Sequence, residues 1–303
     1  VVGDHLPHAA AMAASLVANG GEAALRIHLL HDDSVSDADR TRLADWLAGL
    51  GVQLTCYRID DARLEGLPTA GFTGKGSWYR VFLPDLLPEV DRLLYLDVDL
   101  LVLDSLAPLR AVDLGDAYLA AVTNVFEPAH LHRPAELGLA GPADYFNAGV
   151  LLMNLAALRR DGGAERLVDY GRRHAEQLAW RDQDALNVVL GAGRVPLPPR
   201  WNCMNSVIRF PQSVEVFGAD AVREARRNPA IRHFEGPSLN KPWHHLADRA
   251  DQVLYARYRA ATPWPDVTIE DRTVATRLIR CLPQRLRTPT YVRLLSRRAR
   301  REP

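Results

Sequence analysis

The chain has 303 residues, 48% hydrophobic and 24% charged, ordinary values that exclude a disordered or fibrous polypeptide and allow one sizeable α/β core. Its formal net charge is zero but unevenly spread: ten arginines and no acid lie between Arg272 and Arg301, leaving 27 basic and 36 acidic side chains in residues 1–271. Cys56, Cys203 and Cys281 are odd in number, scattered and without a CxxC pair, which argues against a disulfide framework and a structural zinc site and for a reducing, cytoplasmic compartment.

The sequence opens on Val1 rather than Met, so the expectation is that residues are missing at this end. Leu25 to Leu30 is an apolar, β-compatible run followed by the loop His31-Asp32-Asp33-Ser34. Ser36 then precedes Ala38, Leu43, Trp46, Leu47 and Leu50 at helical spacing, which predicts strand, loop and helix. Gly51 ends that helix, and Gln53 to Ile59 resumes an extended pattern. A Gly-rich loop from Gly66 to Gly76 leads into a helix from Ser77 to Leu86, whose end Pro84 and Pro88 mark. Arg92-Leu93-Leu94-Tyr95-Leu96 is too short for a buried helix and reads as a strand covered on both faces. Further strands are predicted at Tyr118 to Thr123, Asn147 to Asn154 and Ile231 to Phe234, with helices at Gly163 to Ala179 and Asp182 to Leu190. This alternation predicts an α/β fold, a mainly parallel mixed sheet with helices on both faces, and ligands at the carboxyl ends of the strands. The one composition break, near Pro263 to Arg272, divides an expected catalytic domain, residues 1–262, from an Arg-rich tail, residues 263–303. No stretch approaches the roughly 18 to 20 apolar residues of a spanning helix, and no basic-then-apolar leader opens the sequence.

Asp97 and Asp99 stand two apart at the end of the Leu93 to Leu96 strand, and a period of two puts both carboxylates on one face and Val98 on the other. Paired hard oxygens suit Mg²⁺ or Mn²⁺ carrying a diphosphate; the same triplet also caps turns or sits solvated. His233 opens His233-Phe234-Glu235-Gly236 after a short apolar segment, and a neutral imidazole is a good third ligand beside two carboxylates. A structural, hydrogen-bonded histidine is the plain alternative. Only Lys75 and Lys241 stand among 35 arginines. The compact charge of a lysine at 241 suits a diphosphate, with an exposed loop lysine as the other reading.

Together these segments resemble glycosyltransferase family 8, the group of bacterial lipopolysaccharide galactosyl- and glucosyltransferases and glycogenin. The matching stretches are Leu94 to Asp99, Tyr145-Phe146-Asn147-Ala148-Gly149-Val150-Leu151-Leu152-Met153-Asn154, Asp182-Gln183-Asp184-Ala185-Leu186-Asn187, and His233 to Gly236 with Lys241-Pro242-Trp243. The resemblance implies a GT-A nucleotide-diphospho-sugar transferase fold over residues 1–262. It also implies Mn²⁺, with Mg²⁺ as substitute, and a UDP-hexose donor, glucose or galactose, whose anomeric configuration is retained. Carried over by position, Asp97, Asp99 and His233 resemble the metal ligands, and Gly236 and Lys241 the diphosphate contacts, with Val98 inside the triplet that holds the metal-diphosphate. Arg80 resembles the arginine that reaches the donor, and Asn147, Ala148 and Gly149 the loop beneath the sugar. Asp182 and Gln183 resemble the pair at the reacting face. The implied acceptor is a glycan, glycolipid or small molecule.

Two stretches depart from the family pattern. At the start only Val2-Gly3-Asp4-His5 remains of a strand that ends in an acidic pair, so Asp4 and His5 stand in for the uracil and ribose contacts. Between Gly236 and Lys241, Pro237-Ser238-Leu239-Asn240 is a longer spacer than the family's. In the tail, Leu278, Ile279, Leu282 and Leu286 interleave with Arg277, Arg280, Arg285 and Arg287, which suits an anionic membrane surface on the inner face of the membrane; a solvated tail is the alternative. Pro283 and Pro289 are expected to break it into short pieces. Nucleic acid is not an expected partner, because the body is acidic and no aromatic platform accompanies the arginines. Two other readings stay open: nucleotidyl transfer, which lacks its basic phosphate loop here, and a catalytically inactive binding or scaffold protein on a nucleotide-sugar fold.

Overall fold

The computed structural model describes residues 1–21, 24–69 and 74–299; the middle of the expected Gly-rich loop and the last four residues of the tail lie outside them. The strands are β1 (Arg26–His31), β2 (Gln53–Arg58), β3 (Arg92–Leu96), β4 (Leu100–Val102), β5 (Leu119–Thr123), β6 (Phe146–Asn154), β7 (Val195–Pro196) and β8 (Ile231–His233). The helices up to the middle of the chain are α1 (Leu6–Asn19), α2 (Asp37–Gly49), α3 (Leu83–Leu86), α4 (Ala107–Arg110), α5 (Arg133–Glu136), α6 (Leu155–Arg160) and α7 (Gly163–Arg173). The rest are α8 (Asp182–Leu190), α9 (Asn205–Arg209), α10 (Gln212–Phe217), α11 (Ala219–Arg227), α12 (Arg249–Arg259), α13 (Val274–Arg280) and α14 (Gln284–Ala299).

The core is a four-stranded sheet in the order β3-β6-β5-β7. Residues Phe146 to Met153 of β6 are all buried, because alternate side chains feed two hydrophobic layers. Leu151 and Met153 join Trp78, Leu167 and Leu186 on one face, while Val150 and Leu152 join Leu100, Trp201, Met204 and Val207 on the other. That double covering is what the continuous apolar runs encode. It does not encode direction. β1 pairs with β2 and β5 with β7 in parallel, whereas β3 and β5 flank β6 antiparallel and β4 pairs antiparallel with β8. The strands are therefore mixed in direction as expected, but antiparallel pairings outnumber parallel ones, since burial on both faces constrains either orientation equally. β1 and β3 turn their other edges toward one apolar cavity of about 380 Å³, lined among others by Met12, Ile27, Leu29, Leu93 and Tyr95.

Most strand expectations fall within a residue or two of their elements; the differences have local causes. At the N-terminus Val2 is extended and Val1 N donates to Leu30 O of β1, and Gly3–His5 then forms a 3₁₀ turn that opens α1, with Pro7 in its first turn. Ala9, Ala10, Ala11, Ala13 and Ala14 of α1 are buried, small enough to let β4 approach, so that Ser15 Oγ accepts from Val102 N at 2.9 Å. Alanine carries little periodic contrast, and α1 escapes the pattern reading. The segment before α3 is a 3₁₀ helix, Lys75–Phe82, rather than a long α-helix. Residues 263–303 do not form a loose tail among the described residues: α13 and α14 pack on the body, and α14 runs through Pro289 without ending. A proline removes one backbone donor and crowds one carbonyl, a local cost that docking of the helix outweighs. No helix of the described residues is long and apolar enough to cross a membrane.

Candidate active site

Three elements bring the sequence-separated acids and His233 together. Asp97 N donates to Gly149 O at 2.9 Å, extending the β3–β6 ladder by one residue. β4 begins just after Asp99, and its pairing sets Leu100 opposite His233, with Phe234 N donating to Asp99 O at 2.9 Å. One ligand-type atom from each of Asp97, Asp99 and His233 then lies within 4.8 Å of the others. His233 Nε2 is 3.3 Å from Asp99 Oδ1 and 4.0 Å from Asp97 Oδ2.

Neighbouring groups orient these atoms. His233 Nδ1 is 2.8 Å from Asn202 Oδ1, and Asn202 Nδ2 donates at 2.8 Å to Asn147 Oδ1. An amide oxygen only accepts, so this bond assigns the proton to Nδ1 and turns the Nε2 lone pair toward the carboxylates. Tyr95 Oη donates to Asp97 Oδ1 at 2.7 Å, and Arg80 Nη2 lies 3.2 Å from the same oxygen, leaving Oδ2 on the His233 side. Two carboxylate oxygens and one imidazole nitrogen suit a hard divalent cation such as Mn²⁺ or Mg²⁺. Val98 points elsewhere, into the cavity between β1 and β3.

Lys241 reaches this cluster despite the long spacer. Gly236 takes a left-handed φ of 91°, and Ser238–Asn240 coils into a 3₁₀ turn that takes up the extra residues. The Lys241 ammonium pairs with Asp99 and donates to Phe234 O at 2.8 Å. Burial alone would raise the Asp99 carboxyl, but the Lys241 charge and His233 together hold it well below the usual carboxylate range. Lys75, the other lysine, bridges Asp32 at 2.8 Å and Asp61 at 2.9 Å. Both lysines of this arginine-rich chain thus sit against carboxylates, and only Lys241 does so at the triad.

Next to the triad's Asp97–Gly149 link, Gln183 and the Asn147-Ala148-Gly149 segment form one hydrogen-bonded unit. Gln183 Oε1 accepts from Ala148 N at 3.0 Å and Asn147 Nδ2 at 3.2 Å, while Nε2 donates to Tyr145 Oη at 3.2 Å. Tyr145 Oη donates to Asp184 Oδ1 at 2.6 Å, and Arg133 Nη2 lies 2.6 Å from Asp184 Oδ2. The orientation of the Gln183 amide is therefore set from behind. Arg181, the residue before α8, holds φ at 49°; a non-glycine there costs about 1–3 kcal/mol. That strained residue immediately precedes Asp182 and Gln183. Asp182 is 3% exposed, with Oδ2 3.0 Å from Arg80 Nε. Burial outweighs the Arg80 charge and pushes its carboxyl up to about 6. Arg80 thereby spans Asp97 and Asp182, stacks over the Tyr95 ring at 4.4 Å and donates to Ala148 O.

Asp4 and His5 are exposed in the 3₁₀ turn Gly3–His5 and share no hydrogen bond or ion pair with the triad; Arg80 and Lys241 pair with its carboxylates, Gln183 is tied to Asn147 and Ala148, and Val98 lines the cavity between β1 and β3. Sequence reasoning missed Asn202, Tyr95 and Tyr145, which orient His233, Asp97 and Gln183. Tyr95 and Tyr145 sit inside the recognised motifs, but Asn202 carries no local signal. It also missed what Glu235 does: its carboxylate accepts from Asn205 N at 2.5 Å and Ser206 N at 2.9 Å, tying the turn after His233 to α9.

The chain is similar to known proteins over most of its length. The family described as Glycosyl transferase family 8 matches residues 1–247. General stress protein A of Bacillus subtilis (strain 168) is 28% identical over 264 residues, 85% of this chain and 90% of the relative. Lipopolysaccharide 1,2-glucosyltransferase of Escherichia coli is 26% identical over 266 residues, 86% of this chain and 76% of the relative. Among solved structures, the galactosyltransferase LgtC in complex with donor and acceptor sugar analogues superposes with a TM-score of 0.76 at 27% identity, over 87% of this chain and 94% of that one.

Proposed function

The chain belongs to glycosyltransferase family 8 and has the GT-A fold, and on that premise we propose a retaining, metal-dependent hexosyl transfer as its reaction. The donor is UDP-glucose or UDP-galactose, and the acceptor a hydroxyl of a glycan, glycolipid or small molecule. The observation that carries this reading is the convergence of Asp97, Asp99 and His233 within 4.8 Å, with the Lys241 ammonium on one of the same carboxylates. Mn²⁺ or Mg²⁺ held by those three ligands would supply positive charge to the leaving diphosphate. Lys241 adds a second positive charge there, and Gly236 brings the backbone close to the phosphates.

The anomeric carbon–phosphate oxygen bond breaks with its electron pair going to UDP, and a bond from the acceptor oxygen forms on the same face. The acceptor proton passes to the departing phosphate oxygen. Gln183 Oε1, pinned toward the Asn147-Ala148-Gly149 segment, lies beneath the sugar and supports the positive charge that develops at its anomeric carbon. A covalent route would need a carboxylate nucleophile. Asp182 is the fallback, although it is buried against Arg80 with its carboxyl raised to about 6. Exposed Val274, Leu278, Leu286, Val292 and Leu295 on α13 and α14, set among arginines, support peripheral contact with an anionic membrane on its inner, cytoplasmic face.

Incubation with UDP-glucose or UDP-galactose and Mn²⁺, followed by measurement of released UDP, tests the reading. Slow Mn²⁺-dependent hydrolysis supports it. No metal-dependent turnover with any UDP-hexose would favour the inactive scaffold.

A further inference from the structure

The segment around Lys241 has almost no regular structure of its own. It consists of the 3₁₀ turn Ser238–Asn240 and one β-bridge between His244 and Glu270, so packing by other elements must set its position. Two sets of contacts do this. On one side, His8 of α1 stacks on Trp243 with ring centroids 3.5 Å apart, and His8 Nδ1 is 2.6 Å from Tyr255 Oη of α12.

On the other side stand α13 and α14. Ile279 and Tyr291 are buried against Leu239, inside the spacer before Lys241, and against Leu246, five residues after it. Tyr291 Oη is 3.3 Å from His244 Nε2, and the two rings meet edge to face at 5.3 Å. His244 N in turn donates to Lys241 O at 2.9 Å. Arg280 of α13 donates to His245 O and, at 3.1 Å, to Gln252 Oε1, whose Nε2 donates to His244 O at 2.8 Å. Two apolar anchors and three polar links thus run from the C-terminal helices to residues 239–246.

We propose that α13 and α14 are part of the donor site, with Tyr291 and Ile279 acting as positioning residues that hold the Gly236 to Lys241 turn and so place the Lys241 ammonium beside Asp99. This rests on the reading of Lys241 as the diphosphate lysine. Lysine is a compact point charge on a flexible four-carbon stem, so the reach of its ammonium is set by where its backbone is held. Removing the Tyr291 ring empties the space beside Leu239 and frees the turn to shift, and a misplacement of about 1 Å caused from a distance can cost a site on the order of 100-fold.

The test compares binding of UDP and uridine to the full chain in Mn²⁺ by titration calorimetry. Only the diphosphate meets Lys241, so Tyr291→Ala should weaken UDP binding about tenfold while uridine affinity holds. Tyr291→Phe keeps the packing and should restore most of the UDP preference; Val253→Ala, on the exposed face of α12, should leave both affinities unchanged. A UDP-to-uridine ratio in Tyr291→Ala equal to that of the wild type overturns the proposal. Should Tyr291→Ala fail to fold, Ile279→Val is read instead: a two- to threefold fall in the ratio supports the proposal, and no change overturns it. Lys241→Met separates the underlying reading. If that variant keeps the wild-type UDP preference, the diphosphate lysine is misassigned; if it loses the preference while Tyr291→Ala and Ile279→Val keep it, only the role of the C-terminal helices fails.

Discussion

Replacing Gly149 by alanine should disable the candidate metal site without touching a ligand. A Cβ at this position would stand 2.3 Å from His233 Cε1 and 2.9 Å from both His233 Nδ1 and Asp97 Oδ2. Ordinary contact begins near 3.4 Å, so the imidazole must retreat by about 1 Å. The strand cannot yield in its place, because Gly149 O accepts from Asp97 N at 2.9 Å and Gly149 N donates to Asn147 Oδ1 at 3.0 Å. The ring cannot retreat freely either, since Asn202 holds its Nδ1. Metal–ligand distances tolerate about 0.2 Å, so Mn²⁺ affinity should fall by roughly 100-fold, with about 1–3 kcal/mol of overpacking strain. Titration of Mn²⁺ by calorimetry, with denaturant melts alongside, measures both. Gly49→Ala, at the exposed end of α2 where the new methyl meets nothing within 4 Å, is the control and should leave Mn²⁺ affinity unchanged. Wild-type Mn²⁺ affinity in Gly149→Ala would refute the reasoning.

Asn202→Ala should lower Mn²⁺ affinity about tenfold by releasing the His233 ring; an unchanged titration would show that the ring needs no such support. Gln183→Ala should keep UDP affinity and lose about 100-fold in transfer rate, and a variant with full turnover would remove Gln183 from the reacting face. Asp182→Asn should retain measurable transfer and trap no glycosyl-enzyme by mass spectrometry, whereas a trapped species would revive the covalent route. The same variant carries a stability test. Burial pushes the folded Asp182 carboxyl up to about 6 from its ordinary value of 3.8, so its contribution is fully present below pH 4 and is lost as the pH rises through 6. Asp182→Asn should therefore reduce the loss of Tm between pH 4 and pH 7, and a wild-type pH slope would contradict the assignment.

The alternation of apolar runs and helical patterns made the α/β class legible, because burial on both faces of β6 leaves a continuous Phe146 to Met153 stretch that nothing exposed would carry. Asp97, Asp99, His233, Gln183 and Lys241 were legible too, since their chemistry shows in residue type and their motifs lie in family order. Strand direction was not, because an apolar run records coverage and says nothing of polarity. α1 was hidden by its alanines, whose small side chains pack closely and leave little periodic contrast. Asn202 was hidden because an asparagine in a loop has no signal until its amide is seen bridging His233 and Asn147.

The tail separates the two sources most clearly. Its ten arginines and interleaved leucines are properties of the sequence alone, and they set the charge any partner would meet. Whether those residues hang free or lean on the body depends on Ile279 and Tyr291 meeting Leu239 and Leu246, contacts up to 52 residues apart in the chain. The Asp97-Val98-Asp99 triplet obeys the same division. Two carboxylates two residues apart offer hard oxygens wherever they occur, but only the β4–β8 pairing brings a histidine and a lysine from more than 130 residues away to the same few ångströms. Local sequence determines which chemistry a side chain can perform; long-range packing decides which side chains share a site.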